Sequence, residues 1–411
     1  MRIGILTYHC PPNFGAQLQA ISTVGFLRQA GHEVIVLNWY AKDLEDMYSH
    51  RIPLHQVSCH NMFAQKYLPL SDKCQKEDDL VEVVDSLHLD AIIAGSDALF
   101  KYIPLDKYRH FSKRQFKYIN NFTPLSCESL DGNPFFGGFL SKLKKHIPAS
   151  TYAVSSQNCP FTSMTRCEKR AMREALSNYR FISVRDDWTK RMVENITNRK
   201  DVSVYPDPVF SFNSNCYLPI PSKEEIIKRY NLNNNYVLLS FSNRHTNQEY
   251  IHSIGEEVYR RGLQPVALSM PEKLFAAGIE KQIDLPISPL DWYAIIIHSK
   301  GFIGERMHPI VVCLHNSIPF FSFDEYGIKE KKGFFSKEMV YNPSSSKPYL
   351  IVSYADLLSN LYSYKGGTRL PSPQQVVNKL LDFDTSKCKS FADLKRDEYQ
   401  KGMRTVLDSL V

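Results

Sequence analysis

Long apolar runs are missing from this 411-residue chain. No segment offers the roughly twenty uninterrupted apolar residues that a spanning helix needs, and the opening Met1–Leu6 stretch is too short for a signal peptide. A cytoplasmic location is therefore expected. CxxC pairs and Cys/His finger spacings are also missing. The nine cysteines are scattered and odd in number, which argues for reduced thiols and against a disulfide framework or a zinc site. Walker A, HExxH, GxSxG and a clear DxD are absent, which sets aside P-loop NTPases, zincins and α/β-hydrolases. No internal repeat, low-complexity tract or nucleic-acid-binding motif is present, so no nucleic-acid partner is expected.

What remains is an ordinary globular composition, 43% hydrophobic and 23% charged, with a formal charge of +7. The mild basicity suits an anionic substrate or an anionic membrane surface, and equally a solvated basic face. The length predicts two domains of ordinary size.

The first forty residues read as a β-α-β unit: a strand at Ile3–Tyr8, a loop through Pro11–Gly15, a helix marked by Leu18, Ile21, Val24 and Leu27, then a strand at Val34–Leu37. Further strands are predicted at Ala91–Ala94, Tyr152–Ser155, Phe181–Val184 and Val202–Tyr205. A second series follows Pro219-Ile220-Pro221, with strands at Tyr236–Phe241, Pro265–Leu268, Gly301–Ile303 and Ile318–Phe323 and helices near 247–261, 290–298 and 309–316. This alternation implies an α/β protein with helix-covered parallel sheets. The expected organisation is two Rossmann-like domains, 1–215 and 216–370, facing each other across a cleft. A charged helical segment, 371–411, packs back on the first. Residues 100–149 break the pattern: Lys101, Lys107, Arg109, Lys113, Arg114 and Lys117 interleave with Tyr102, Tyr108, Phe111, Phe116 and Tyr118. Such a segment is either a functional lid or an irregular loop with solvated lysines.

Ligands in open α/β sheets bind beyond the carboxyl ends of strands, so strand ends carry the site candidates. Gly304-Glu305-Arg306-Met307-His308-Pro309 ends a buried strand and starts a helix, with Pro309 in its first turn. Arg306, the helix N–H groups and the helix dipole converge on one point suited to an anion, and His308 adds a proton donor or acceptor. Arg185 ends another strand and either reaches the cleft or pairs with Asp186 or Asp187, which are a helix cap and a first-turn acid. In Gly95-Ser96-Asp97 the carboxylate is either a general base toward a sugar hydroxyl or a helix cap. Pro206-Asp207-Pro208 reads as a rigid interdomain turn. Asn13-Phe14-Gly15 offers backbone N–H groups to an anion or a sugar without GxGxxG spacing.

Taken in order, Asn13-Phe14-Gly15-Ala16-Gln17-Leu18-Gln19, Gly95-Ser96-Asp97, Tyr152-Ala153-Val154-Ser155, Ser183-Val184-Arg185-Asp186, Asp207-Pro208 and Gly304-Glu305-Arg306-Met307-His308 resemble the polysaccharide pyruvyl transferase family over most of residues 1–365. The Pro319 strand and the Lys329 region also fit. Two departures lie in the first domain: Ala98-Leu99-Phe100 stands where many relatives have Gln-Val-Trp, and Ser155-Ser156-Gln157 where many have Ser-Phe-Gly. The resemblance implies a GT-B-like fold and transfer of a pyruvyl group from phosphoenolpyruvate to sugar hydroxyls, closing a ketal during capsule or exopolysaccharide biosynthesis. It implies Arg185, Arg306 and His308 around the donor and His308 as the acid. Asp97 would be the base, and Asn13, Phe14, Gly15, Ser96 and Asp97 would lie on the acceptor side. On that resemblance phosphoenolpyruvate would be the donor substrate, with no metal and no further cofactor demanded. The implied acceptor is a sugar, carried as a lipid-linked oligosaccharide or a nucleotide sugar, and peripheral contact with the inner face of a membrane is compatible with either. Two alternatives stay open: a GT-B glycosyltransferase using a nucleotide sugar, and a non-catalytic glycan-binding subunit of a polysaccharide assembly complex.

Overall fold

A computed structural model of the protein describes residues 1–242, 246–272, 278–325, 327–331, 339–365 and 369–411. Strands β1 (Arg2–Leu6), β2 (Glu33–Val36) and β3 (Ala91–Ala94) open the chain, and β4 (Arg109–Ser112) and β5 (Lys117–Asn120) form a separate hairpin. With β6 (Ala149–Val154), β7 (Phe181–Val184) and β8 (Ser203–Val204) they complete the first half. The second half holds β9 (Tyr236–Ser240), β10 (Gln264–Leu268), β11 (Lys281–Ile283), β12 (Gly301–Glu305), β13 (Phe320–Asp324), the hairpin β14 (Ile328–Lys331)–β15 (Met339–Asn342), and β16 (Leu361–Ser363). The first sheet runs β2-β1-β3-β6-β7-β8 and the second β11-β10-β9-β12-β13-β16, both six-stranded and parallel throughout.

Parallel strands are covered on both faces, so their sequences are apolar runs without alternation. Ala91-Ile92-Ile93-Ala94 and Tyr236–Ser240 are buried at every position. In each sheet the strand order reverses once, between β1 and β3 and between β9 and β12. The loops leaving those strands diverge and leave a crevice. Gly95-Ser96-Asp97 leaves β3 and Arg306-Met307-His308 leaves β12. Only glycine fits at position 95: φ is +143°, and a Cβ there would lie 1.9 Å from the Tyr152 carbonyl oxygen.

The helix Phe14–Gln29 begins two residues earlier than the loop read from sequence allowed, because the Asn13 side chain accepts from the Ala16 N–H at 3.3 Å and caps it. It is buried around nearly its whole circumference because it lies between the two halves. Phe14 stacks on Trp292 with ring centres 5.1 Å apart, and one apolar cluster runs from Ile5, Leu18 and Ile21 to Tyr293, Ile310 and Leu314. The final helix, Thr385–Leu410, packs against the helix Met307–Asn316 and against β6. Its Tyr399 meets Tyr152 edge-on at 5.4 Å, and Ser409 Oγ lies 2.8 Å from Ser150 Oγ.

Two sheet-edge strands escaped the sequence reading, Lys281–Ile283 and Leu361–Ser363; each is three residues long. The segment 100–149 is more ordered than either of its readings. Its second half is core, with Phe135, Phe136 and Phe139 fully buried, while the basic aromatic part is the projecting β4–β5 hairpin.

Candidate functional site

The two crevices face each other across a cleft of about 1050 Å³, lined among others by Tyr8, Asn13, Asp97, Arg306, His308 and Lys347. Two of its charged residues sit on strained turns. Asp97 (φ +92°) and Arg306 (φ +85°) both hold positive φ, a conformation that costs a non-glycine residue about 1–3 kcal/mol and clusters at functional sites.

Arg306 occupies the cap position of the helix Met307–Asn316, and its guanidinium meets the Glu272 carboxylate at 2.9 Å on the half-exposed lip of the cleft. His308, the second residue of that helix, points inward. Its ring lies against Gly15 so closely that a Cβ on Gly15 would come within 2.0 Å of the imidazole Cγ. Its Nε2 is buried and has no hydrogen-bond partner among the described residues. Burial pushes its pKa below the usual 6.5, Asp97 and Asp207 pull the other way, and Arg185 and Lys347 push down again. The imidazole is therefore neutral at pH 7.

Beneath the cleft floor the charges alternate in sign. Asp207, fully buried, accepts from Arg185 Nη1 at 2.5 Å, from Gln19 Nε2 at 2.6 Å and from the Val209 N–H at 2.9 Å. Arg185 reaches onward from Nη2 to Asp97 Oδ1 at 3.5 Å, and Lys347 Nζ stands 3.7 Å from the same oxygen. The neighbouring aspartates do not take Arg185. Asp186 caps the helix Asp187–Thr197, accepting from Thr189 N–H and Ser155 Oγ, each at 2.7 Å, and Asp187 accepts from the Tyr354 hydroxyl. Asp207, read from sequence as a turn residue, is the principal counter-ion of Arg185. The Arg185 side chain is only 4% exposed, and its Nε is buried without a hydrogen bond among the described residues.

The remaining candidates divide. Asn13 lines the cleft, and Gly15 shapes the wall behind His308. Phe14 is buried in the interdomain stack, and Ser96 is fully buried with its hydroxyl donating to the Ala153 carbonyl at 2.6 Å. Lys329 is exposed on the β14–β15 hairpin.

Lys347 was missed. It is the first residue of the helix Lys347–Tyr354, whose N-cap Ser346 Oγ accepts from Tyr349 N–H at 3.2 Å. Ser346-Lys347-Pro348 is a legible helix start of the same kind as the turn before Pro309, but no strand signal precedes it to mark a site. Burial lowers the Lys347 pKa to about 8, Arg185 adds to that, and Asp97, Asp186 and Asp207 oppose it. Asp97 moves the other way. Burial alone would raise it, but Lys347, His308, Arg185 and the Ala98 N–H bring it down to about 2. The site is thus a buried carboxylate between two cations, with a neutral histidine and an outer arginine around an open cavity. Among the described residues no group of His, Cys, Asp or Glu side chains is arranged to hold a metal ion.

Comparisons with known proteins agree with this architecture. The Arabidopsis thaliana glycosyltransferase UGT89C1 complexed with UDP-L-rhamnose superposes with a TM-score of 0.55 at 10% identity, covering 100% of this chain and 99% of that one. The UDP-GlcNAc 2-epimerase from Neisseria meningitidis, bound to UDP-GlcNAc, gives 0.52 at 9% identity with the same coverage. At such identities the likeness establishes the GT-B-like fold alone. Curated protein sequences give no match. A family model described as polysaccharide pyruvyl transferase matches residues 13–325, which takes in the helix cap at Asn13, Asp97, Arg185, Asp207 and the Arg306–His308 turn. The chain belongs to the polysaccharide pyruvyl transferase family.

Proposed function

We propose that the protein transfers the pyruvyl group of phosphoenolpyruvate to two hydroxyls of a sugar, releasing phosphate and forming a pyruvate ketal. The observation that carries this reading is the cleft's charge arrangement: Lys347, Arg306 and the N-terminus of the helix Met307–Asn316 surround His308 in a cavity large enough for a small dianion and a sugar. The donor has a phosphate and a carboxylate, and each needs a cation.

The chemistry assigns the groups as follows. A proton delivered to the methylene carbon makes its neighbour an oxocarbenium-like electrophile. One sugar hydroxyl adds to that carbon and loses its proton; the C–O bond to phosphate then breaks, and the second hydroxyl adds and loses its proton. Of the two protons released, one balances the new methyl group and the other leaves on phosphate. His308 on its own is neutral, and the donor's charge favours its protonated form, so donor binding itself arms the acid. Lys347 faces the donor from the floor and Arg306 from the lip. Arg185 acts from beneath by fixing Asp97. Held by Lys347 and Arg185, Asp97 is too well stabilised as an anion to be a good base. A donor that draws Lys347 toward its own anions weakens that hold and lets Asp97 accept the hydroxyl proton. The acceptor side lies toward Asn13 and the loop after β3, with a lipid-linked or nucleotide-linked sugar as acceptor.

Thermal unfolding of wild type and Arg306→Ala with and without phosphoenolpyruvate tests the donor. A ligand at 100 times its Kd stabilises by about 2.7 kcal/mol, and the shift should vanish in the variant. A shift given by a UDP-sugar and not by phosphoenolpyruvate would replace this reading with a glycosyltransferase.

A further inference from the structure

The β4–β5 hairpin takes no part in either sheet, and its composition is one-sided. From Lys107 to Cys127 the chain holds five lysines and arginines, at positions 107, 109, 113, 114 and 117, and no aspartate or glutamate. The same hairpin exposes its aromatics: Phe116 is 85% exposed, Tyr118 61% and Phe111 47%. Register pairs Phe111 with Tyr118, so both rings stand on one face, 5.3 Å apart, and Phe116 at the turn closes on Phe111 at 6.2 Å. The Arg109 guanidinium lies 4.9 Å from the Tyr118 ring centre, on the apolar patch. Immediately after the hairpin, Phe122 and Thr123 line the cleft, and Phe122 is 47% exposed.

A contiguous exposed aromatic patch marks an interaction site. Cations bordering that patch, with no acid among them, select a partner that is both apolar and negatively charged. Aromatic side chains settle at the boundary between headgroups and acyl chains, and lysines and arginines beside them pair with anionic headgroups. We propose that the β4–β5 hairpin docks the protein on an anionic lipid bilayer, with Phe111, Phe116 and Tyr118 entering the interface and Arg109, Lys113, Arg114 and Lys117 holding the headgroups. Docking in this way presents the cleft at Phe122 to the membrane surface, where an acceptor sugar carried on a lipid would be found.

The test does not depend on the transfer reaction. Full-length protein is sedimented with vesicles of phosphatidylcholine alone and of phosphatidylcholine containing about one-third phosphatidylglycerol. Binding is expected only to the anionic vesicles, weakening as salt rises. Each cation removed should cost about fivefold in affinity, so Lys113→Glu with Arg114→Glu abolishes it. Phe111→Ser with Phe116→Ser should also release the protein while leaving its melting temperature unchanged, because among the described residues these side chains belong to none of the core clusters. Phe116→Trp adds a direct reading of insertion: Trp39, Trp188 and Trp292 are all buried, so a vesicle-dependent blue shift would come from the hairpin. Equal binding to both vesicle types, no binding to either, or binding untouched by these substitutions would overturn the proposal. So would a concentration-dependent dimer dissolved by Phe116→Ser, which would make the patch a contact between copies.

Discussion

Gly15, on the first helix, and His308, on the helix after β12, meet across the domain boundary with no room for a methyl group between them: a Cβ at position 15 would sit 2.0 Å from the imidazole Cγ. The two halves of the chain therefore share one wall of the cleft, and the absence of a side chain in one half fixes the ring position in the other. Gly15→Ala should fold, at an overpacking cost of about 1–3 kcal/mol. Because a displacement of about 1 Å can cost about 10²-fold, turnover should fall by about that factor. Steady-state kinetics beside a melting curve separates the two effects; a variant as active as wild type would show that the ring is free to move.

His308 carries a pH signature. Its pKa lies below 6.5, mainly through burial, and a bound anionic donor raises it. The profile of kcat/KM reports the free enzyme and that of kcat the loaded one. The alkaline fall of kcat should therefore begin at higher pH than that of kcat/KM. His308→Ala should lose about 10²–10⁴-fold in turnover. The same shift has a stability consequence. A histidine whose folded pKa is depressed supports the fold above its unfolded pKa, and that support is lost as pH falls through 6.5 toward the folded value. The unliganded protein should lose stability over that window, less so in His308→Ala, as chemical denaturation at stepped pH would record.

How much of this was legible from residues alone follows from where each signal lies. Buried parallel strands write themselves as apolar runs, so Ala91–Ala94 and Phe181–Val184 were found to the residue. Arg306 and His308 were legible because strand end, helix start and Pro309 coincide within a few residues. The partner of Arg185 was not, since Asp207 is 22 positions away and meets it only when β7 and the turn after β8 come together. Lys347 was illegible for the same reason. It enters from a short helix after β15, and only the folded chain brings its ammonium group within 3.7 Å of Asp97. Phe14 and Ser96 illustrate the reverse: a motif residue can serve packing while its neighbours face the cleft.

The buried Arg185–Asp207 pair should behave as structural support for the site. Removing one partner of a buried pair leaves an uncompensated charge and costs about 3–5 kcal/mol. Asp207→Asn should lose stability on that scale in urea unfolding, whereas Asp207→Leu with Arg185→Met should recover much of it without recovering turnover. Recovery of activity in the double variant would remove Arg185 from any part in positioning Asp97.

Lys347 offers the sharpest contrast between a packing and a binding role. Its pKa is lowered to about 8, chiefly by burial and then by Arg185. Above that pH the free enzyme loses the cation facing the donor, while His308 has already discharged at lower pH. The fall of log(kcat/KM) for phosphoenolpyruvate should then steepen from a slope of about one to about two above roughly pH 8. Lys347→Gln should weaken kcat/KM by about ten- to a hundred-fold, the worth of a hydrogen bond to a charged group, and should flatten the second slope. Lys347→Arg keeps the charge at every accessible pH, so it should restore part of the affinity while still lacking that second slope. A second slope that survives in Lys347→Arg would assign the titration to another group and leave Lys347 only the task of neutralising Asp97.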